Sequence, residues 1–258
     1  MQDDIKSKGR CFFCGKSFAK AGINRHLVTH FREKEKTGLP GKSFLVKIET
    51  NRRWGSSPYF LSLWIDGETK LKDLDSFLRD IWLECCNHMS AFRDPNKGAL
   101  ALFEDEDDIE FEGMDEDDDD IFGIDDENVI PMDCKTKNLF SKGLELDFDY
   151  DFGSTTELSM TVMEEYSVRA DAKIVLLSRN EPLKIMCAVC GISPASLMCT
   201  VCMYNGGSVF CEKCAVIHAK QCKDFKDYAA MPVVNSPRMG VCGYTGGVID
   251  TERDGIYQ

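Results

Sequence analysis

Residues 187–222, CAVCGISPASLMCTVCMYNGGSVFCEKCAVIHAKQC, carry seven cysteines and one histidine in a stretch too polar to build a core of its own. The spacing is C-x2-C-x8-C-x2-C-x8-C-x2-C-x3-H-x3-C. A C-x2-C turn aims two thiolates at one ion, and His218 and Cys222, four apart, share a face of a helical turn. Eight such ligands make two tetrahedral zinc sites. A disulfide cluster is the competing reading, but it requires an oxidising compartment. The chain opens with no secretory signal, so zinc in an intracellular setting is expected. A second constellation lies in residues 11–30, CFFCGKSFAKAGINRHLVTH, where Cys11 and Cys14 form a knuckle and His26 and His30 stand one helical turn apart.

In ligand order, residues 187–222 resemble the small cross-braced HIT-type finger and, more loosely, the MYND finger. In such fingers the pairs alternate between the two ions. The resemblance therefore implies one zinc on Cys187, Cys190, Cys211 and Cys214 and another on Cys199, Cys202, His218 and Cys222. It also implies a protein-binding or assembly role. The eight residues between Cys202 and Cys211 are more than a HIT finger carries. Residues 11–30 resemble a two-Cys two-His zinc finger, with Phe18 and Ile23 as its small core and a third zinc on Cys11, Cys14, His26 and His30. Eleven residues rather than about twelve separate Cys14 from His26, so the turn into the helix is tighter.

The helix positions that face bases in such fingers correspond here to Ala19, Gly22 and Arg25, and two of these have no reach. Lys8, Arg10, Lys16, Lys20, Arg25 and Arg32 are instead candidates for holding phosphates in a salt-dependent, sequence-tolerant way. A structural or protein-binding finger is an equal expectation. Net charge supports neither by itself. The formal −13 hides sixteen acidic and no basic side chains in residues 104–127, and the rest of the chain stands at +3 without them. Residues 1–54 carry thirteen Lys or Arg against five Asp or Glu. The acidic run is interspersed with Ile109, Phe111, Met114, Ile121 and Phe122, and reads as a disordered insertion or a segment that docks on a basic surface. A calcium loop from Asp115 is set aside, because Asp120 stands where the turn glycine belongs and no glutamate closes the loop.

Nine of the thirteen cysteines fall in these metal-spaced sets. Cys85, Cys86, Cys134 and Cys242 are expected to be ordinary thiols, and His88 a hydrogen-bonded packing residue. Cys242 as a nucleophile is set aside, since His88 is the one histidine not already assigned. With 43% hydrophobic residues and no apolar run near the roughly 18 of a membrane span, a soluble, cytoplasmic chain is expected.

The elements that must position these groups follow from periodicity. Gly38, Pro40 and Gly41 mark a linker. Phe44, Val46 and Ile48 alternate with Leu45, Lys47 and Glu49 as a half-buried strand, and residues 59–65 form a more buried one. Thr69 caps a helix whose apolar stripe is Leu71, Leu74, Leu78, Ile81 and Trp82. Short strands are expected at 89–93 and 99–103, a hairpin from LELDFDYD (144–151) to residues 158–162, and a last strand from Ala172. These elements predict an α+β fold, a mixed sheet with one main helix flanked by two small zinc-finger modules. The division expected is 1–38 (finger), 39–180 (core with the acidic insertion 104–127), 184–226 (double-zinc module) and 227–258 (a Gly- and Pro-containing tail packed on the rest).

The phrases TKLKDLDSFLRDIW, NHMSAF and DFDYDFGSTTELSMTV, in that order, resemble the plasmid Ri open-reading-frame-three family, the insertion-element TnpR-like passenger proteins. The likeness covers about residues 43–178. It implies an α+β core, a bacterial mobile-element context and no assigned reaction. The function expected is a non-enzymatic, three-zinc adaptor that contacts a protein and, weakly, nucleic acid, with no small-molecule substrate. One alternative is an inhibitor in which residues 104–127 mimic nucleic acid or mask the finger. Another is a magnesium-dependent hydrolase.

Overall fold

The computed structural model describes residues 7–50, 57–95, 128–203 and 208–254. The acidic run and the strand expected at 99–103 lie outside these residues. The chain begins with a short hairpin, β1 (Lys8–Arg10) and β2 (Ser17–Ala19), followed by helix α1 (Lys20–Thr37). Strands β3 (Pro40–Thr50) and β4 (Phe60–Asp66) come next, then α2 (Leu71–Leu78), extended by a π-helical turn over Arg79–Leu83. β5 (Ser90–Arg93), β6 (Val129–Ile130), α3 (Thr136–Leu139), β7 (Glu145–Tyr150), β8 (Thr156–Val168) and β9 (Ile174–Arg179) complete the core.

The fold is α+β. Its seven-stranded sheet runs β6-β5-β7-β8-β3-β4-β9, and every ladder in it is antiparallel, a narrower result than the mixed sheet expected. One face carries Phe44, Val46, Ile48, Leu61, Leu63 and Ile65 beneath α2, whose Leu71, Leu74 and Leu78 complete the core there. The other face carries Leu45, Phe60, Trp64, Tyr166 and Leu177, covered by Ile23, Leu27 and Phe31 of α1. β3 is thus buried on both sides rather than half-buried, because the finger's helix is the second layer of the core. The Phe31 ring stacks on Tyr166 (centroids 4.2 Å apart, planes at 10°) and meets Trp64 edge-on at 5.1 Å. The expected linker is correspondingly absent: α1 ends at Thr37, and β3 starts at Pro40.

Thr69 does not cap α2. Its hydroxyl donates to the Lys173 carbonyl (2.8 Å), and Asp73 accepts the Lys70 N–H (3.0 Å), satisfying a first-turn donor from inside the helix.

The β1–β2 hairpin is pinned to the free edge of the sheet at β9. The Glu181 N–H donates to the Lys8 carbonyl, the Phe12 N–H to the Leu177 carbonyl, and Gly9 bridges Asn180. A Cβ at Gly9 would stand 2.5 Å from Ser178 Oγ, 2.7 Å from Phe60 Cζ and 2.8 Å from the Arg179 carbonyl oxygen. Gly9→Val is therefore expected to lift the hairpin off the edge at a cost of about 1–3 kcal/mol in urea unfolding, as overpacking does. An unchanged unfolding midpoint would show that the hairpin is not docked there.

The C-terminal part holds a second sheet, ordered β11-β10-β12, made of β10 (Leu197–Cys199), β11 (Val209–Phe210) and β12 (Ala230–Pro232). Helix α4 (Glu212–Gln221) and a π-helical turn (Phe225–Ala229) lie between β11 and β12. The tail then returns to the large sheet. Asn180 Nδ2 donates to Asn235 Oδ1 (2.6 Å), Ser236 Oγ to the Trp82 carbonyl (2.7 Å), and the Val248 N–H to the Asp80 carbonyl (2.7 Å).

Candidate metal centres

Two of the knuckles are made by the sequence C-x-x-C-G. At Cys11-Phe12-Phe13-Cys14-Gly15 the Gly15 N–H donates to the Cys11 carbonyl (2.8 Å), with Gly15 at φ +68°. At Cys187-Ala188-Val189-Cys190-Gly191 the Gly191 N–H donates to the Cys187 carbonyl (2.9 Å), with φ +63°. A left-handed residue is required to close such a turn, and glycine takes that conformation without a Cβ penalty.

Each quartet expected from the sequence is brought together, with its four ligand atoms within 4.8 Å of one another: Cys11, Cys14, His26 and His30; Cys187, Cys190, Cys211 and Cys214; Cys199, Cys202, His218 and Cys222. In the first, His26 Nε2 is 3.2 Å from Cys14 Sγ and 3.1 Å from His30 Nε2. The second has Cys190 and Cys211 Sγ 3.9 Å apart, and the third has Cys222 Sγ 4.0 Å from those of Cys199 and Cys202. A tetrahedral ion with metal–sulfur bonds of about 2.3 Å sets its sulfurs roughly 3.8 Å apart, so these sulfur spacings fit.

The alternation arises from the local fold. Cys211 caps the N-terminus of α4 and Cys214 lies in its first turn, facing the 187–191 knuckle, while His218 and Cys222 occupy its far end beside β10, which carries Cys199. His218 stacks on Phe210 (4.2 Å) and meets Phe225 edge-on (4.9 Å), leaving its buried Nε2 with no hydrogen-bond partner. A buried imidazole nitrogen without a partner is costly unless it binds a metal.

The titration of the ligands points the same way. Burial pushes Cys214 up to about 12, and hydrogen bonds to its three sulfur neighbours add to this. Burial also opposes the Cys187 thiolate, yet backbone N–H groups of Cys190, Cys211 and Val189 draw it down to about 6. Cys202 is pushed up to about 11, first by its hydrogen bond to Cys199. Crowded thiols accept one negative charge and resist the next; a divalent cation removes that resistance. His26 is drawn below its usual range by burial, then by His30 and Lys16, which favours the neutral form a metal ligand needs. The residues present fit metal ions, and the donor set of thiolates and imidazoles suits zinc.

The phosphate-holding candidates divide. Lys8, Arg10, Lys16, Arg25 and Arg32 are exposed. Lys20 is not available: its Nζ sits 2.5 Å from Glu49 Oε1 and donates to the Ser57 carbonyl at 2.5 Å. Burial would raise the Glu49 carboxyl, but the ammonium groups of Lys20 and Lys47 outweigh it and hold it below the ordinary range. This contribution to stability is present above the unfolded value of about 4.3 and is lost as pH falls through the lower folded value. The gap in melting temperature between wild type and Glu49→Gln is therefore expected to be largest at neutral pH and to close below about pH 4. A gap that widened in acid would refute the assignment.

A further group was not anticipated. Cys85, Cys86 and Cys242, expected as ordinary thiols, and His88, expected as a packing residue, lie with their ligand atoms within 4.8 Å of one another. Cys134 stands apart from them: it is half-buried, and burial raises its thiol.

No family model and no curated protein matches the chain. Among solved structures, the chain is similar to a protein of unknown function from Methanosarcina mazei Go1, at 14% identity and a TM-score of 0.35, covering 54% of this chain and 68% of that one. Among the described residues, no helix is long and apolar enough to cross a membrane.

Proposed function

We propose that the chain is a zinc-stabilised, non-enzymatic adaptor whose C-terminal double-metal module holds a partner protein and whose N-terminal finger contacts nucleic acid weakly. In this reading zinc is structural. Each quartet supplies four protein ligands and leaves no coordination position for water or substrate.

The observation that carries the protein-binding half is where apolar surface is left uncovered. Val189, Ile192, Val201, Val216, Ile217 and Tyr228, all in or beside the double-metal module, are 42–82% exposed. A small module that spends its cysteines on metal rather than burial, and leaves such side chains in water, is suited to docking. Ile192→Lys combined with Ile217→Lys is expected to abolish capture of proteins cross-linked to the wild-type chain in cell extract, with metal content unchanged. Equal capture by both chains would overturn this half.

The nucleic-acid half rests on the exposed Lys8, Arg10, Lys16, Arg25 and Arg32. Because α1 belongs to the sheet's core, the test is substitution rather than deletion. Changing Lys8, Lys16, Arg25 and Arg32 to Glu should weaken binding to a 20-base-pair duplex at least about tenfold. The wild-type affinity should fall with salt at a log–log slope no steeper than about −0.9 per phosphate contact. Binding indifferent to these four changes would remove nucleic acid from the function.

A further inference from the structure

Four quartets take up twelve of the thirteen cysteines and all four histidines, leaving Cys134 outside. The fourth is assembled from two places. Cys85 and Cys86 follow the π-helical turn that ends α2, and Asn87, at φ +57°, bends the chain so that His88 turns back toward them. Cys242 arrives from the tail, 156 residues beyond Cys86, also in a left-handed conformation (φ +48°).

We propose that Cys85, Cys86, His88 and Cys242 form a fourth, closed zinc site that fastens the tail to the end of α2. His88 Nε2 is 3.1 Å from Cys242 Sγ, and Cys86 Sγ is 3.9 Å from Cys242 Sγ. These spacings match those of the other quartets, 3.2 Å for Cys14 to His26 and 3.9 Å for Cys190 to Cys211. The surroundings are those of a ligated imidazole. His88 Nδ1 faces Asp151 Oδ1 at 3.6 Å, so a carboxylate stands on the side of the ring away from the sulfurs, as it commonly does behind a metal-bound imidazole. Asp151 is itself held by Arg238 Nη2 (2.6 Å) and by the N–H groups of Gly153 and Ser154. Arg238, fully buried, also reaches Cys85 Sγ at 3.4 Å. Three thiolates on a divalent ion leave one negative charge, and this guanidinium, already paired with Asp151, donates toward the Cys85 sulfur.

Two other chemistries would use the same atoms. Cys242, His88 and Asp151 have the order of a thiol nucleophile, its base and the base's orienting group. Cys86 and Cys242 could instead pair as a disulfide. Neither assigns a role to Cys85, whose Sγ lies within 4.8 Å of the other three ligand atoms.

The test is zinc per chain in the full-length protein, wild type against Cys242→Ser and His88→Gln, together with alkylation mapping of the wild type before and after chelation. The site predicts one zinc fewer in each variant, whatever the occupancy of the other three quartets. It also predicts that Cys86 and Cys242, though exposed, resist alkylation until chelator is added. The mapping needs no variant, so misfolding of a variant cannot mask the answer. Equal zinc in all three proteins would overturn the proposal. So would alkylation of Cys86 and Cys242 at the same rate with and without chelator, selective alkylation of Cys242 in the zinc-loaded protein, or a Cys86–Cys242 disulfide in freshly isolated chain.

Discussion

Chelation at neutral pH is expected to unfold residues 187–232 while the seven-stranded sheet stays folded. The core of the double-metal module consists of Cys187, Cys199, Phe210, Cys211, Cys214, Ala215, Phe225 and Ala229, so half of its buried members are ligands. Ala195, Met198, Met231 and Val233 add a small second cluster. That is too little apolar surface to offset the entropy of ordering the segment, at roughly 1–2 kcal/mol of backbone alone per residue. Structural zinc contributes about 10–16 kcal/mol in small fingers, as much as a whole domain's stability. No ligand of the three anticipated quartets belongs to the cluster under α2, and on the other face Cys11 is one ligand among ten buried members, so the sheet's core is apolar packing rather than metal. Hydrogen exchange read by mass spectrometry should show the amides of Cys199, Ala215 and Cys222, bonded to Ser208, Cys211 and His218 carbonyls, losing protection after chelation. Those of β3 and β4 should retain it. Protection of Ala215 that survives metal removal would show a module held by packing alone.

Phe31→Ala is expected to destabilise the whole sheet, not the finger alone, by about 3–5 kcal/mol at full metal loading. Phe31 is fully buried between Tyr166 of β8 and Trp64 of β4, strands far from it in sequence. A finger that folded by itself would lose its own metal affinity and leave the core's unfolding midpoint in place. The shared core predicts a shifted midpoint, read by tryptophan fluorescence in urea, and a single cooperative transition. A midpoint within experimental error of wild type would separate finger from sheet.

The difference between these two modules explains what was legible in the sequence. The C-x2-C pairs and the His218 to Cys222 step are local, so a reader of the chain sees the ligands' geometry in their spacing. The alternation of pairs between ions needed a family resemblance, because nothing in the spacing says which knuckle faces α4. Strands β7 and β8 were legible from the strict alternation of 144–151. The second face of the sheet was not, although a signal existed: Ile23, Leu27 and Phe31 carry an apolar stripe eight residues past Ile23, where a lone finger's core ends. The fourth quartet left no local trace. His88 and Cys242 are 154 residues apart, and what joins them is the tail's return to the end of α2 through Ser236 and Val248, with Arg238 held by Asp151 beyond β7. The fate of Lys20 was equally hidden, since its partner Glu49 lies on the outward side of a strand that seemed to face water.

The short edge strand β6 carries a consequence for how this chain tolerates change. Arg93 pairs with Val129 and the Asp94 N–H donates to the Asn128 carbonyl, so the two ends of the intervening stretch are fastened side by side at the margin of the sheet. Closing a stretch between fixed ends costs only about 0.6 kcal/mol for each doubling of its length. The margin is therefore a graft point. A change in the number of residues between Asp94 and Asn128 carries a small closure cost.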